Sequence, residues 1–333
     1  MNPPTLPALK KKLLKLLSLA LLPILLLNPS LSARGAADGL TLWFNVVFPT
    51  LFPFLFAMGL VTASGALPLA AAPAKYLLGP LFSFNSAGCF ALLSGLLCGY
   101  PVGARQTAVL MRQGFITARQ GAALFSVCAY PSPMFLAGYV LPLMETAPGF
   151  WRLFLSLTLP AVPMAAAARR IYGASPADEI QPPAGAISVS ESPAGTAGPP
   201  ADFNSVLMDS LEIMEKICGC LMVFSVAAAF WNRYMPDTFG PKVFLLSLTE
   251  MTVGIREIAA CRSGIFQSAL ARDTAMVAAA AFGGLSGAAQ TQTVIKNAGL
   301  SIRHYMAWKW VHMTLSSLTF ILLSSLRLPP PAQ

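Results

Sequence analysis

Charge is almost absent from long stretches of this chain. No Asp, Glu, Lys or Arg occurs from Leu40 to Thr62, from Tyr76 to Leu97 or from Ile217 to Trp231. Apolar runs of this length suit lipid rather than water, because about 20 apolar residues in a helix cross the hydrocarbon core of a bilayer. Composition agrees: 11% of residues are charged and 56% hydrophobic, with a mean hydropathy of +0.65, whereas about 25% of a soluble domain is charged. The chain reads as an all-α polytopic integral membrane protein, and the lipid bilayer is its first partner. Its 333 residues leave room for roughly eight to ten membrane elements. The net charge of +9 is spread over short loops and helix ends, so it reads as a topology determinant and not as a nucleic-acid surface. Six cysteines at 89, 98, 128, 218, 220 and 261 have neither CxxC pairing nor ligand spacing and read as buried thiols.

Lys10, Lys11, Lys12 and Lys15 precede an apolar run from Leu16 to Leu27, a pattern shared by signal peptides. The preferred reading is an uncleaved N-terminal membrane helix over 1–30, bent at Pro23. A first membrane half is expected over 38–171. Pro49 and Pro53 should break its Leu40–Thr62 segment, and Gly79-Pro80 with Ser83, Asn85 and Ser86 should turn Tyr76–Leu97 into a re-entrant hairpin. A helix is predicted over Val102–Arg112, started by Pro101. A further segment from Thr117 should break at Tyr130-Pro131-Ser132-Pro133, where Ser132 caps a new half-helix with Pro133 at its first position, continuing to Met144. Phe150–Ala168 is the next span. Residues 172–203 hold six prolines, four glycines and seven alanines and read as a flexible linker. The second half, 204–326, should contain Asn204–Trp231, Lys242–Ala260, Thr274–Gly284, a turn at Ser286-Gly287, a polar helix to Asn297 and a last span near Ala307–Leu326.

The two halves carry one related segment. Sliding Cys98–Gly114 onto Gly283–Gly299 pairs Gly99 with Gly284, Ala104 with Ala289, Val109 with Val294 and Gly114 with Gly299. Four identities in seventeen positions is a weak match in an Ala- and Gly-rich chain. Paired, Gly-interrupted hydrophobic segments nevertheless point to a transporter's binding site between two repeats. Inverted repeats would put corresponding loops on opposite membrane faces, so Arg105, Arg112 and Arg119 in one loop and Lys296, Arg303 and Lys309 in the other would not all lie inside.

Several polar residues stand out against this background. Glu250 sits in an apolar stretch, and a carboxylate at membrane depth costs about 2.5–3.5 kcal/mol on insertion scales. It reads as a pathway residue that takes a coupling proton, holds a cation or braces the turns, or as a near-surface partner of Arg256 or Lys242. Arg105 lies one turn into the Pro101 helix, where it and the helix N-terminus would form an anion-binding corner; an ordinary positive-inside arginine fits equally. Gln290 to Thr293 offer neutral donors and acceptors at the related place. Glu212 and Lys216 are spaced as a surface helix pair. Asn45 and Asn85 are weaker binding candidates. His304 and His312 lack carboxylate neighbours in sequence, which leaves zinc or general-base roles without support. No Ser/His/Asp order, P-loop or dinucleotide fingerprint occurs. The chain is therefore read as a non-enzyme without cofactor or metal.

Five motifs in order give the chain a resemblance to a known family. They are Phe48-Pro49-Thr50-Leu51-Phe52-Pro53-Phe54, Gly99-Tyr100-Pro101-Val102-Gly103-Ala104, Ser132-Pro133 with Phe135, Glu250-Met251-Thr252-Val253-Gly254, and Gly283-Gly284-Leu285-Ser286 with Gln290. Over about residues 40–325 the chain resembles the YlbJ-type sporulation integral membrane proteins, which contain the nucleoside-recognition or gate domain. The resemblance implies a fold distantly similar to concentrative nucleoside transporters. It also implies a sporulation-associated transporter or permease for a small polar aromatic anion, dipicolinic acid, working in the cell or forespore membrane by alternating access, with or without a coupling ion. Residues expected to bind the solute are Gly99, Tyr100, Pro101, Gly103, Arg105, Ser132, Pro133, Glu250, Thr252, Gly284, Ser286 and Gln290. Rival readings are a nucleoside-type transporter and a non-transporting scaffold in a spore-envelope complex. Where relatives often have asparagine before the Ser-Pro turn, this chain has Ala129-Tyr130-Pro131.

Overall fold

The computed structural model describes residues 6–175, 202–236 and 241–326. Most of the expected linker at 172–203 lies outside them. All regular structure among the described residues is helical. Helices α1 (Leu6–Leu27), α2 (Pro29–Leu42) and α3 (Phe48–Ala63) come first, followed by α4 (Leu67–Phe82), α5 (Ser86–Cys98), α6 (Val102–Arg112) and α7 (Ala118–Phe125). Helix α8 (Pro133–Phe135) runs on through wider and tighter turns to Leu143, and α9 (Phe150–Thr158) and α10 (Ala161–Tyr172) follow. The remaining helices are α11 (Phe203–Tyr234), α12 (Lys242–Thr249), α13 (Met251–Ala260), α14 (Ala269–Phe282), α15 (Gly284–Val294) and α16 (Ile302–Ser325).

Among the described residues, three stretches are long and apolar enough to cross a membrane: Pro29–Ala63, Phe150–Tyr172 and Phe203–Tyr234. The pair α4–α5, bent by 89°, makes a fourth if counted as one span. The expected eight to ten elements assumed continuous segments, but much of the apolar sequence forms half-helices of 8–14 residues such as α7, α12, α13 and α14. Large apolar side chains on the spans point outward: Phe44 is 65% exposed, Trp151 69% and Val223 66%. A surface this apolar is matched to lipid.

Lipid tails are as apolar as leucine, so helices in a bilayer associate through close packing of small residues and through hydrogen bonds. Gly35 and Gly39, four apart on α2, meet α11 in this way. A Cβ on Gly35 would come within 2.9 Å of the Val226 Cα, and one on Gly39 within 2.9 Å of the Met222 Cα. Trp43 adds a hydrogen bond from Nε1 to the Met214 carbonyl at 3.0 Å. Buried Asp273, in the second turn of α14, accepts the Glu145 and Thr146 backbone N–H groups at 3.1 and 2.9 Å. Arg272 pairs with Glu145 beside it. That knot ties the loop before α9 to α14.

Pro49 and Pro53 do not break their segment as expected. A π turn at Trp43–Val47, closed by Phe48 N–H on the Trp43 carbonyl, shifts the hydrogen-bond register just before Pro49. Pro49 then falls in the first turn of α3, where a missing N–H costs least. Helix α4 likewise runs through Gly79-Pro80, and the chain turns afterwards at Ser83, whose φ is 53°. Asn85 caps α5 by accepting the Gly88 N–H at 2.8 Å and also donates to the Phe115 carbonyl at 3.2 Å. It holds a corner rather than a ligand. The expected Lys242–Ala260 segment is in fact two helices, α12 and α13, separated at Glu250.

Replacing Gly39 with leucine should push α2 off α11 and cost about 1–3 kcal/mol, measured as a lower midpoint of thermal denaturation in detergent. An unchanged midpoint would mean that the α2–α11 contact is not tight.

Candidate functional site

Broken helices leave backbone N–H groups unpaired at each new start. Four such starts gather in one place. Ser132 caps α8, its Oγ accepting the Phe135 N–H at 3.2 Å. Glu250 caps α13: one carboxylate oxygen accepts the Thr252 and Val253 N–H groups, each at 2.9 Å, and the Thr252 hydroxyl as well. The capping explains why Glu250 takes an extended backbone, φ −142° and ψ 119°. The same carboxylate is thereby neutralised in part by the positive end of α13. Tyr139 steadies this corner by donating to the Thr252 carbonyl at 2.7 Å.

Helices α6 and α15 differ from these two. The residues that open them, Pro101 and Gly283, provide no side-chain cap. Each helix is eleven residues long and follows a glycine of positive φ, 84° at Gly99 and 83° at Gly283, although their ψ angles of −161° and 1° differ. Both glycines are needed for space also. A Cβ on Gly99 would approach the Ser132 N to 2.7 Å, and one on Gly283 the Tyr100 ring to 3.0 Å. The Tyr100–Pro101 peptide is cis.

The four starts adjoin a pocket of about 60 Å³, lined by Tyr100, Ser132, Glu250, Thr252, Ser286 and Gln290 together with residues of α2, α3 and α11. Six of the twelve sequence-predicted binding residues thus meet in one space, although they are separated by up to 190 positions. Gln290 Nε2 donates to Ser286 Oγ at 3.2 Å along α15. Gly99, Pro101, Pro133 and Gly284 shape the turns behind this lining. Gly103 packs elsewhere: a Cβ there would lie 1.9 Å from the Cys128 carbonyl oxygen. A larger apolar groove of about 810 Å³, lined by Phe244, Phe266, Phe282, Trp310 and others, opens between α12, α13, α14 and α16. It contains none of the predicted residues.

Arg105, the one cation in the predicted binding set, is also outside the lining. It is half-buried on α6, and its helical position turns it away from the end that Tyr100 and Pro101 present. A second difference concerns the related segments. Arg112 Nη1 donates to the Lys296 carbonyl at 3.4 Å, so the C-terminal ends of α6 and α15 adjoin while their starts share the cavity. For this pair the following loops lie together, not on opposite faces.

Lys309, grouped with the loop charges although it falls within the predicted Ala307–Leu326 span, lies inside α16, 2% exposed, with Nζ donating to Tyr100 Oη at 2.8 Å and to the Ala129 carbonyl at 3.1 Å. Its neighbour one turn on, His312, is 3% exposed and contacts the Leu157 carbonyl at 2.8 Å. The available signal was their spacing: Tyr305, Lys309 and His312 fall on one face of α16, and all are buried. Among the described residues no three His, Cys, Asp or Glu side chains gather as metal ligands.

The apolar spans and the polar cavity at the helix breaks define a helical integral membrane protein. Over 113 residues the chain is 30% identical to the sporulation integral membrane protein YlbJ of Bacillus subtilis (strain 168), the family that its motifs resemble. The match takes in 34% of this chain and 28% of the relative, so the chain spans little more than a quarter of that protein's length. No family model matches the chain, and no solved structure matches it.

Glu250→Ala should remove the α13 cap and cost about 1 kcal/mol, whereas Glu250→Gln keeps an acceptor for the same N–H groups and should cost less. Thermal denaturation of both variants in detergent measures the difference. Equal midpoints for Glu250→Ala and the parent protein would deny the carboxylate its bracing role.

Proposed function

We propose that this chain is a membrane transporter or permease for a small polar aromatic anion, working by alternating access around the four-helix cavity. The observation that carries this reading is that the turn before α6, through Tyr100, and the uncapped start of α15, through Gly283, Ser286 and Gly287, line one pocket. Free N–H groups and the positive end of a helix are ready donors to an anionic or strongly polar group. Broken helices meeting at a central site are the usual construction of secondary transporters. The two halves, 38–171 and 204–326, would each contribute one such start, as in the concentrative nucleoside transporters that the family is held to resemble.

At about 60 Å³ the cavity holds a few water molecules, far below the roughly 300 Å³ at which small-molecule sites begin. This is consistent with a closed state in an alternating-access cycle. Dipicolinic acid, a flat aromatic dianion, is the proposed solute, and the forespore membrane of a sporulating bacterium the proposed location. The support is the motif resemblance together with the likeness to a sporulation membrane protein. Glu250 is then a bracing residue of the site, and no catalytic step is assigned to the chain.

Purified protein in liposomes should take up dipicolinate saturably and leave uridine outside. Uridine flux instead would favour the nucleoside-type reading. Well-folded protein that neither binds nor moves either solute would overturn transport and favour a scaffold in an envelope complex.

A further inference from the structure

Lys309 carries a basic amine into the protein interior, where among the described residues no carboxylate pairs with it. Its Nζ has three N–H donors, and the acceptors around it are the Tyr100 hydroxyl and the Ala129 carbonyl, both neutral. The Tyr100 ring lies 4.5 Å from Nζ and the Tyr305 ring 6.0 Å. A buried ammonium held only by neutral groups is costly, so the site favours an anion that would pair with it.

Its position relative to the cavity supplies the function. Tyr100 lines the cavity and Lys309 does not, while Lys309 is hydrogen-bonded to the hydroxyl of that same Tyr100. One phenol therefore separates the ammonium from the space. Tyr100 is held there by its hydroxyl, which donates to the carbonyls of Ala280 and Ala281 at 2.8 and 3.0 Å, and by the bare face of Gly283. All of these contacts are made by one side chain, so they would be given up together if it turned. Beside Ala129, the Tyr130 hydroxyl is buried and has no hydrogen-bond partner. A second donor thus stands unused next to the Lys309 pocket.

We propose that Lys309 is the cationic anchor for a carboxylate of the transported anion, exposed to the cavity when the Tyr100 side chain turns aside. The inference rests on the transport reading above and gives its site the positive charge that Arg105 does not bring to the cavity. The incoming carboxylate replaces the Tyr100 hydroxyl as the acceptor of Nζ. The uncapped starts of α6 and α15 then hold the remainder of the solute.

The test uses full-length protein reconstituted in liposomes, with dipicolinate as probe and Lys309→Gln and Lys309→Met as variants. Lys309→Gln keeps an N–H donor for Tyr100 and Ala129 but removes the charge. Lys309→Met removes both, and replacing an unmatched buried charge with an apolar side chain should leave the thermal midpoint unchanged or raised. Both variants should bind dipicolinate about 10- to 100-fold more weakly, the loss expected for one charged hydrogen bond. If the parent protein binds dipicolinate and folded Lys309→Gln binds it as tightly, the anchor is overturned while transport stands. If the parent protein binds no dipicolinate, the anchor and the transport reading both fall.

Discussion

A helix interrupted inside a bilayer exposes backbone N–H and C=O groups that lipid cannot satisfy. The rest of this structure depends on how that constraint is met. Asn85, Ser132 and Glu250 each accept N–H groups of the helix that follows them. At Pro101 and Gly283 no side chain does so. Bringing the breaks together puts their polar groups in one interior and leaves the apolar flanks of α3, α9 and α11 for lipid. The cavity is thus a consequence of the breaks and not a feature added to a finished bundle.

Close approach makes that arrangement possible. Gly35 and Gly39 let α2 lie against α11, and Gly103 lets α6 meet the Cys128 carbonyl. Tyr100 then spans from the α6 turn to the end of α14 through the Ala280 and Ala281 carbonyls. Through Lys309 the same phenol reaches α16. Three elements distant in sequence therefore share one side chain at the wall of the cavity, which couples any movement of that wall to all three.

The turns themselves were legible. Gly99-Tyr100-Pro101, Ser132-Pro133 and Gly283-Gly284 carry residue types that stop one helix and start another, and α6 occupies the predicted Val102–Arg112. The Glu212–Lys216 surface pair was legible too, at 2.5 Å. Proline was the less dependable marker. Pro49 and Pro80 lie within continuous helical stretches, because a π turn absorbs the first and α4 tolerates the second. The Glu250 break has no proline or glycine, so its cause, a carboxylate bonded to the next turn, was visible only in three dimensions.

By itself the sequence determined the solvent, the helical class and the local points at which helices stop, because these follow from apolar runs and from the backbone preferences of single residues. It named six residues that line one pocket in the fold. Only the tertiary structure decided which turns face each other, that Arg105 stands outside the cavity and that Lys309 lies buried behind Tyr100. Those outcomes depend on helix rotation and on packing between residues up to about 209 positions apart. A one-dimensional pattern contains the faces of each helix but not their partners.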